Sequence, residues 1–111
     1  MRYSLAMLVL LCAACLEAGG DALIRVGLRS PTVIRTALFI VLGGLTLTAY
    51  AYAVNTAPWS FGRLLGVYVA YFFVVAQVIS WLGFGQKPTP MIFLGGALIV
   101  AGGCVVSLAG G

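Results

Sequence analysis

Residues 5–28 read LAMLVLLCAACLEAGGDALIRVGL, an apolar run broken by Glu17, Asp21 and Arg25. Glu17 and Asp21 are the only two carboxylate side chains in the sequence. A run of this kind is long enough to cross the hydrocarbon layer as a helix, which takes about 20 residues. If it begins near Leu5, a rise of about 1.5 Å per residue puts Glu17 roughly 18 Å along, close to mid-bilayer. An ionised acid at that depth costs roughly 2.5–3.5 kcal/mol on insertion scales, so it needs a partner or a task.

Spacing separates the two acids. Asp21 and Arg25 are one helical turn apart with the acid first, the favourable order for an intrahelical pair. They are expected to neutralise each other, with Arg25 also able to snorkel toward the headgroups. Glu17 has no base one turn on, because Arg25 stands two turns away. Around it Ala13, Ala14, Ala18, Gly19 and Gly20 are small enough for a helix, water or a ligand to come close. Desolvation penalises the charged form of a carboxyl, so Glu17 can hold a proton or a cation but hardly both. That competition is a complete exchange mechanism, and it is the role expected of Glu17. The plainer alternative is an acid permanently protonated or hydrogen-bonded to a neighbouring helix. For Asp21 the preference reverses: pairing with Arg25 is the simpler account, and a share in coupling is the alternative.

The 111 residues are 63% hydrophobic and 7% charged, a balance that belongs to a membrane protein. The net charge of +4 comes from six scattered Lys and Arg with no basic run, which argues against nucleic-acid binding. No His is present, and no nucleophile–base pair, metal cluster or phosphate loop can be assembled. Neither an enzyme nor a resident cofactor or metal is expected. Met1–Arg2 followed by an apolar run with Ala13-Ala14-Cys15 resembles a secretion or lipoprotein signal. Cys12 stands where leucine is usual, and cleavage would leave three hydrophobic spans rather than a soluble domain, so the segment is expected to be retained.

Three further apolar stretches follow. Ser30-Pro31 reads as an N-cap with proline in the first turn, starting a helix that runs to about Val54 with Arg35 in its opening turn. Asn55 to Ser60 breaks the pattern, and Trp59 fits an interfacial anchor there. A third span runs from Phe61 to Gly83; a fourth, uncharged, runs from Met91 to Leu108 beyond the loop Gly85 to Pro90. The expectation is an all-α membrane protein, a single four-helix transmembrane domain over 1–111 with helices at about 4–28, 31–54, 61–83 and 91–108. Its loops are short enough to make neighbouring helices antiparallel. Arg2 and Arg63 would share one side and Arg25, Arg29, Arg35 and Lys87 the other. That shallow bias toward termini outside permits insertion in both orientations.

Other patterns carry less chemistry. Cys12-Ala13-Ala14-Cys15 matches CxxC but lacks a second CxxC or a basic neighbour, so it reads as small helix-packing residues rather than a redox or metal site. The third span offers Tyr68, Tyr71, Phe72 and Phe73, with Tyr68, Phe72 and Val75 along one face. Aromatic faces attract desolvated cations, although in membrane helices they more often pack; beside an acid they gain weight. Tyr50 and Tyr52 are candidates of the same kind. The fourth span reads GGALIVAGGCVVSLAGG from Gly95, with Gly95 and Gly102, and Gly96 and Gly103, seven apart. Such a stripe lets backbones touch and is expected to form a dimerisation face.

These residues resemble the small multidrug resistance family of the drug/metabolite transporter superfamily along nearly the whole chain, and the related short inner-membrane proteins of the YnfA type. Glu17 with Gly20 and Arg25 mirrors that family's membrane acid, glycine and lysine; Ser80-Trp81 with Gly85-Gln86-Lys87 matches the end of its third helix. Gly95, Leu98, Ile99, Ala101 and Gly102 match its dimer-forming fourth helix. Pro58, Gly62-Arg63 and the GVYVAY stretch with Tyr68 look closer to the YnfA type.

The resemblance implies a dimeric bundle, an antiparallel homodimer in the cell's inner (plasma) membrane, whose two acids share one site. It exchanges protons for small cationic compounds, either hydrophobic cations or guanidinium-like ions. Glu17 would be the coupling acid and Tyr68 would stand where the family has tryptophan; Gly20, Tyr71 and Asp21 complete the expected substrate- and proton-binding set. The departures are Tyr68 itself, Leu65 for a tyrosine, the added Asp21, and Ala70 and Phe72 where that family has glycines and a bend. The rival readings are a non-transporting accessory subunit packed on a larger membrane partner, and a component moving a lipid-linked group.

Overall fold

A computed structural model describes residues 3–109; Arg2, which weighs in the charge count above, lies outside them. Four helices form: α1 (Tyr3–Leu28), α2 (Val33–Val54), α3 (Phe61–Phe84) and α4 (Pro90–Ser107). Each is long and apolar enough to cross a membrane, and no strand occurs among the described residues. The fold class is therefore the all-α, four-span one that the apolar runs dictate. α3 runs unbroken through Ala70 and Phe72.

The helix ends follow from local hydrogen bonding. Ser30 does not cap α2: its hydroxyl donates to the Val26 carbonyl at 2.8 Å and so closes α1. The chain stays extended through Thr32 (φ −115°, ψ 147°), whose hydroxyl accepts from the Arg35 N–H at 3.3 Å and starts α2 there. At α4 Thr89 caps in the same way, accepting from the Ile92 N–H at 3.3 Å, and Pro90 occupies the first turn, where its missing N–H costs nothing. α3 ends on Gly85 at φ 67°, the left-handed conformation that glycine adopts without a Cβ clash.

The helices lie side by side as a slab of 49 × 34 × 18 Å. α1 packs against α2 and α3, and α4 packs only against α3, so the spatial order is α2, α1, α3, α4. Small residues set each contact. A Cβ on Gly43 would meet Ile24 Cγ1 at 2.6 Å and the Gly20 carbonyl at 2.9 Å, so α1 and α2 touch through backbone. α4 meets α3 closely too, but through side chains: a Cβ on Gly96 would meet Phe73 at 2.5 Å and one on Gly103 would meet the Ala70 Cβ at 2.6 Å.

A compact core gathers where α1, α3 and the end of α2 meet, from Leu10, Ala13, Ala14, Val54, Ala57, Leu64, Val67 and Tyr68. Trp59 packs half-buried against it, with the Arg63 guanidinium 4.3 Å from its ring centre. Arg63 also donates from Nη2 to the Ser107 carbonyl at 2.7 Å, fastening the start of α3 to the end of α4. Trp59 therefore supports the arginine that holds these helix ends together. Cys12 and Cys15 are exposed and unbridged, and the alanines between them do the packing instead.

The backbone contact at Gly43 makes a sharp contrast with its neighbour. Gly43→Ala should destabilise by about 1–3 kcal/mol through overpacking, read as a lower melting temperature in detergent. Gly44, whose added Cβ would meet nothing within 4 Å, should tolerate alanine with a change below about 0.5 kcal/mol.

Candidate functional site

Glu17 sits half-buried in the middle of α1, and the group that meets it comes from α3. Tyr68 is 4% exposed, and its hydroxyl donates to Glu17 Oε1 at 2.8 Å. The same oxygen lies 3.2 Å from the Ala13 carbonyl, one turn before Glu17. A phenol has one hydrogen and here two acceptors, so it can serve the carboxylate or the carbonyl but not both at full strength. The ring is held from two sides: Tyr50 of α2 lies 5.5 Å away at 31°, and Phe72, one turn along α3, lies 6.3 Å away at 25°. Aromatic pairs at such separations contribute about 0.5–1.5 kcal/mol beyond burial.

Of the expected site set, Glu17 and Tyr68 meet directly, and two further aromatic candidates, Phe72 and Tyr50, pack on the Tyr68 ring. Other expected site residues go elsewhere. Gly20 is buried at the α1–α2 contact, where an added Cβ would meet Leu47 at 2.9 Å. Tyr71 turns its hydroxyl to Met7 Sδ at 3.1 Å and lines an apolar crevice of about 340 Å³ between α1, α3 and α4. Tyr52 is 79% exposed and faces away from the bundle.

Asp21 departs from the expectation most. It forms no ion pair with Arg25; the Arg25 guanidinium lies 5.5 Å from the Phe84 ring centre instead. The sequence spacing allowed the pair, but the last turn of α3 brings an aromatic face that competes for the cation. Both side chains line a second crevice between α1 and α3, with Ser80 and Gln86. The Ala13 carbonyl as a second acceptor, and Phe84 beneath Arg25, escaped the sequence reading. Neither carries a signal along one chain segment, since each depends on how α1 and α3 are placed in register.

The proposed dimerisation set divides by face. Gly95 and Gly102 would each meet nothing within 4 Å if given a Cβ, and Leu98 is 69% exposed. Ala101 is likewise exposed, and Ile99 is half-buried. The neighbouring stripe of Gly96 and Gly103 is already occupied by α3. The two glycine stripes of α4 thus point to different uses.

Comparison with known proteins finds similarity to a UPF0060 membrane protein of Herpetosiphon aurantiacus, 28% identical over 108 residues and covering 96% of each chain. That similarity is consistent with the YnfA-type resemblance in the residues. No family model matches the chain, and no solved structure matches it. Four apolar spans and an end-to-end similarity to a membrane protein make this chain a multi-pass membrane protein.

Proposed function

We propose that the chain is a proton-coupled antiporter that exports small cationic compounds, working as an antiparallel homodimer of the small multidrug resistance kind. The observation that carries the reading is the bond from the Tyr68 hydroxyl to Glu17. Tyr68 is a neutral donor: it orients the carboxylate and leaves its charge to be met by something else. Within a low-dielectric site that something is a proton or a cationic guest, and the two compete. Tyr50 and Phe72, which flank the buried Tyr68 ring and are only half-buried themselves, offer aromatic surface near the acid, worth up to about 2 kcal/mol to a desolvated cation. When a proton arrives at Glu17, the Tyr68 hydroxyl has the Ala13 carbonyl as its alternative acceptor.

The unfilled face of α4 also suits an accessory subunit seated on a larger partner. Purification separates the two readings: a self-dimer that releases protons on binding a cation supports transport, and a chain recovered only with a different protein supports the subunit.

In proteoliposomes with an imposed proton gradient, Glu17→Gln should abolish exchange of guanidinium and of tetraphenylphosphonium; undiminished exchange of both sinks the coupling role. Tyr68→Phe should keep the helices and lower exchange by about tenfold, matching the 1.5–3 kcal/mol of a hydrogen bond to a charged group. On α4, Gly102→Trp should split the dimer in detergent while the monomer keeps its helix content. Molar mass by light scattering checks this, and an intact dimer would move the interface elsewhere.

A further inference from the structure

The second crevice, one turn beyond Glu17, takes no part in the reading above. It holds about 260 Å³ between α1 and α3. α1 contributes Ala18, Asp21, Ala22 and Arg25, a single helical stripe; Ser80, Phe84 and Gln86 close it from the end of α3 and the loop beyond. Asp21 is the exposed acid of the pair and makes no hydrogen bond or ion pair among the described residues. Arg25 rests on the Phe84 ring, 5.5 Å to its centre, which holds the guanidinium without neutralising it. Ser80 donates to Gln86 Oε1 at 3.1 Å, so these two polar groups are satisfied by each other and form the crevice wall.

One crevice therefore presents a full negative and a full positive charge about one helical turn apart, roughly 6 Å, and they do not meet. A lone cation drawn to Asp21 is repelled by Arg25 beside it. A lone anion drawn to Arg25 is repelled by Asp21. A ligand carrying both charges satisfies both groups and leaves neither desolvated without a partner. The level in the membrane fits as well. Arg25 lies in the last turn of α1, and Lys87 lies 5.9 Å from the Trp81 ring centre at the end of α3. Aromatic and basic residues together mark the headgroup layer, where zwitterions are abundant.

We propose that this crevice binds a zwitterion, its ammonium at Asp21 and its anionic group at Arg25. The ligand is either a phosphoethanolamine lipid headgroup or a small soluble molecule with the same amine and phosphate or carboxylate groups. The proposal does not depend on transport through Glu17, and the Glu17→Gln background keeps amine binding at that acid out of the measurement. In nanodiscs of phosphatidylglycerol alone, calorimetric titration with O-phosphoethanolamine should show binding, and ethylamine or inorganic phosphate should bind about tenfold more weakly or worse. In mixed discs, phosphatidylethanolamine should be retained on the protein in native mass spectrometry. Retention without binding of the free headgroup identifies the lipid as the ligand, and the converse identifies a soluble one. Asp21→Asn and Arg25→Gln should each weaken whichever ligand binds by about tenfold. Ethylamine binding as tightly as O-phosphoethanolamine overturns the proposal, as does the absence of both ligands. So does unchanged binding in both variants. The ligand series needs no change at Asp21 or Arg25, so it decides the matter even if those variants fail to fold.

Discussion

Among the described residues, α1 and α3 are the only pair of helices that joins the two halves of the slab, α2 with α1 on one side and α3 with α4 on the other. The seam between them is built from Leu10, Ala13, Ala14, Leu64, Val67 and Tyr68, and its polar contact is the Tyr68 hydroxyl on Glu17 and the Ala13 carbonyl. Alanines on α1 leave room for the large ring, and the ring brings a donor to the carboxylate at mid-helix. Packing and polar chemistry thus coincide in one side chain. A phenylalanine there would fill the same volume and leave the carboxylate without its donor, which separates the two contributions.

A slab 18 Å thick leaves most of each helix uncovered. In water such a chain would expose far too much apolar surface; in lipid the acyl chains cover it, and helix association rests on close backbone approach and hydrogen bonds. That explains the placement of the glycines. Gly20 and Gly43 let α1 and α2 touch, while Gly96 and Gly103 let α4 lie against Phe73 and Ala70 of α3. Gly95 and Gly102 do neither, and with exposed Leu98 they form a face that no described residue covers. On the proposed reading a second copy fills it.

Much of this was legible in the sequence, because the membrane restricts the options. Apolar runs of sufficient length must become helices, since backbone groups in lipid have no other partner. Glu17 and Tyr68 were also readable as residues suited to one site, with Phe72 and Tyr50 as separate aromatic candidates. The finer placements were not. Ser30-Pro31 and Thr89-Pro90 look alike on the page, yet Pro90 opens α4 while Pro31 precedes Thr32, the true cap of α2. The difference lies in the preceding helix end, which takes the Ser30 hydroxyl for itself. Asp21 and Arg25 had the spacing for an ion pair, and only the register of α3 against α1 brings Phe84 beneath the guanidinium. The stripes of α4 are equivalent in spacing, so only the contact with α3 tells which one is occupied.

The two acids of α1, one turn apart, end in different electrostatic situations, and that difference bears on function. Glu17 meets a neutral phenol in a confined seam, which gives its carboxylate a donor without bringing it a charge. Asp21 shares a crevice with the Arg25 cation, so the two opposite charges largely offset each other at a distance while each still acts on groups close to it. On the proposed reading, selectivity for cations belongs to Glu17, and Asp21 with Arg25 adds little net pull of its own.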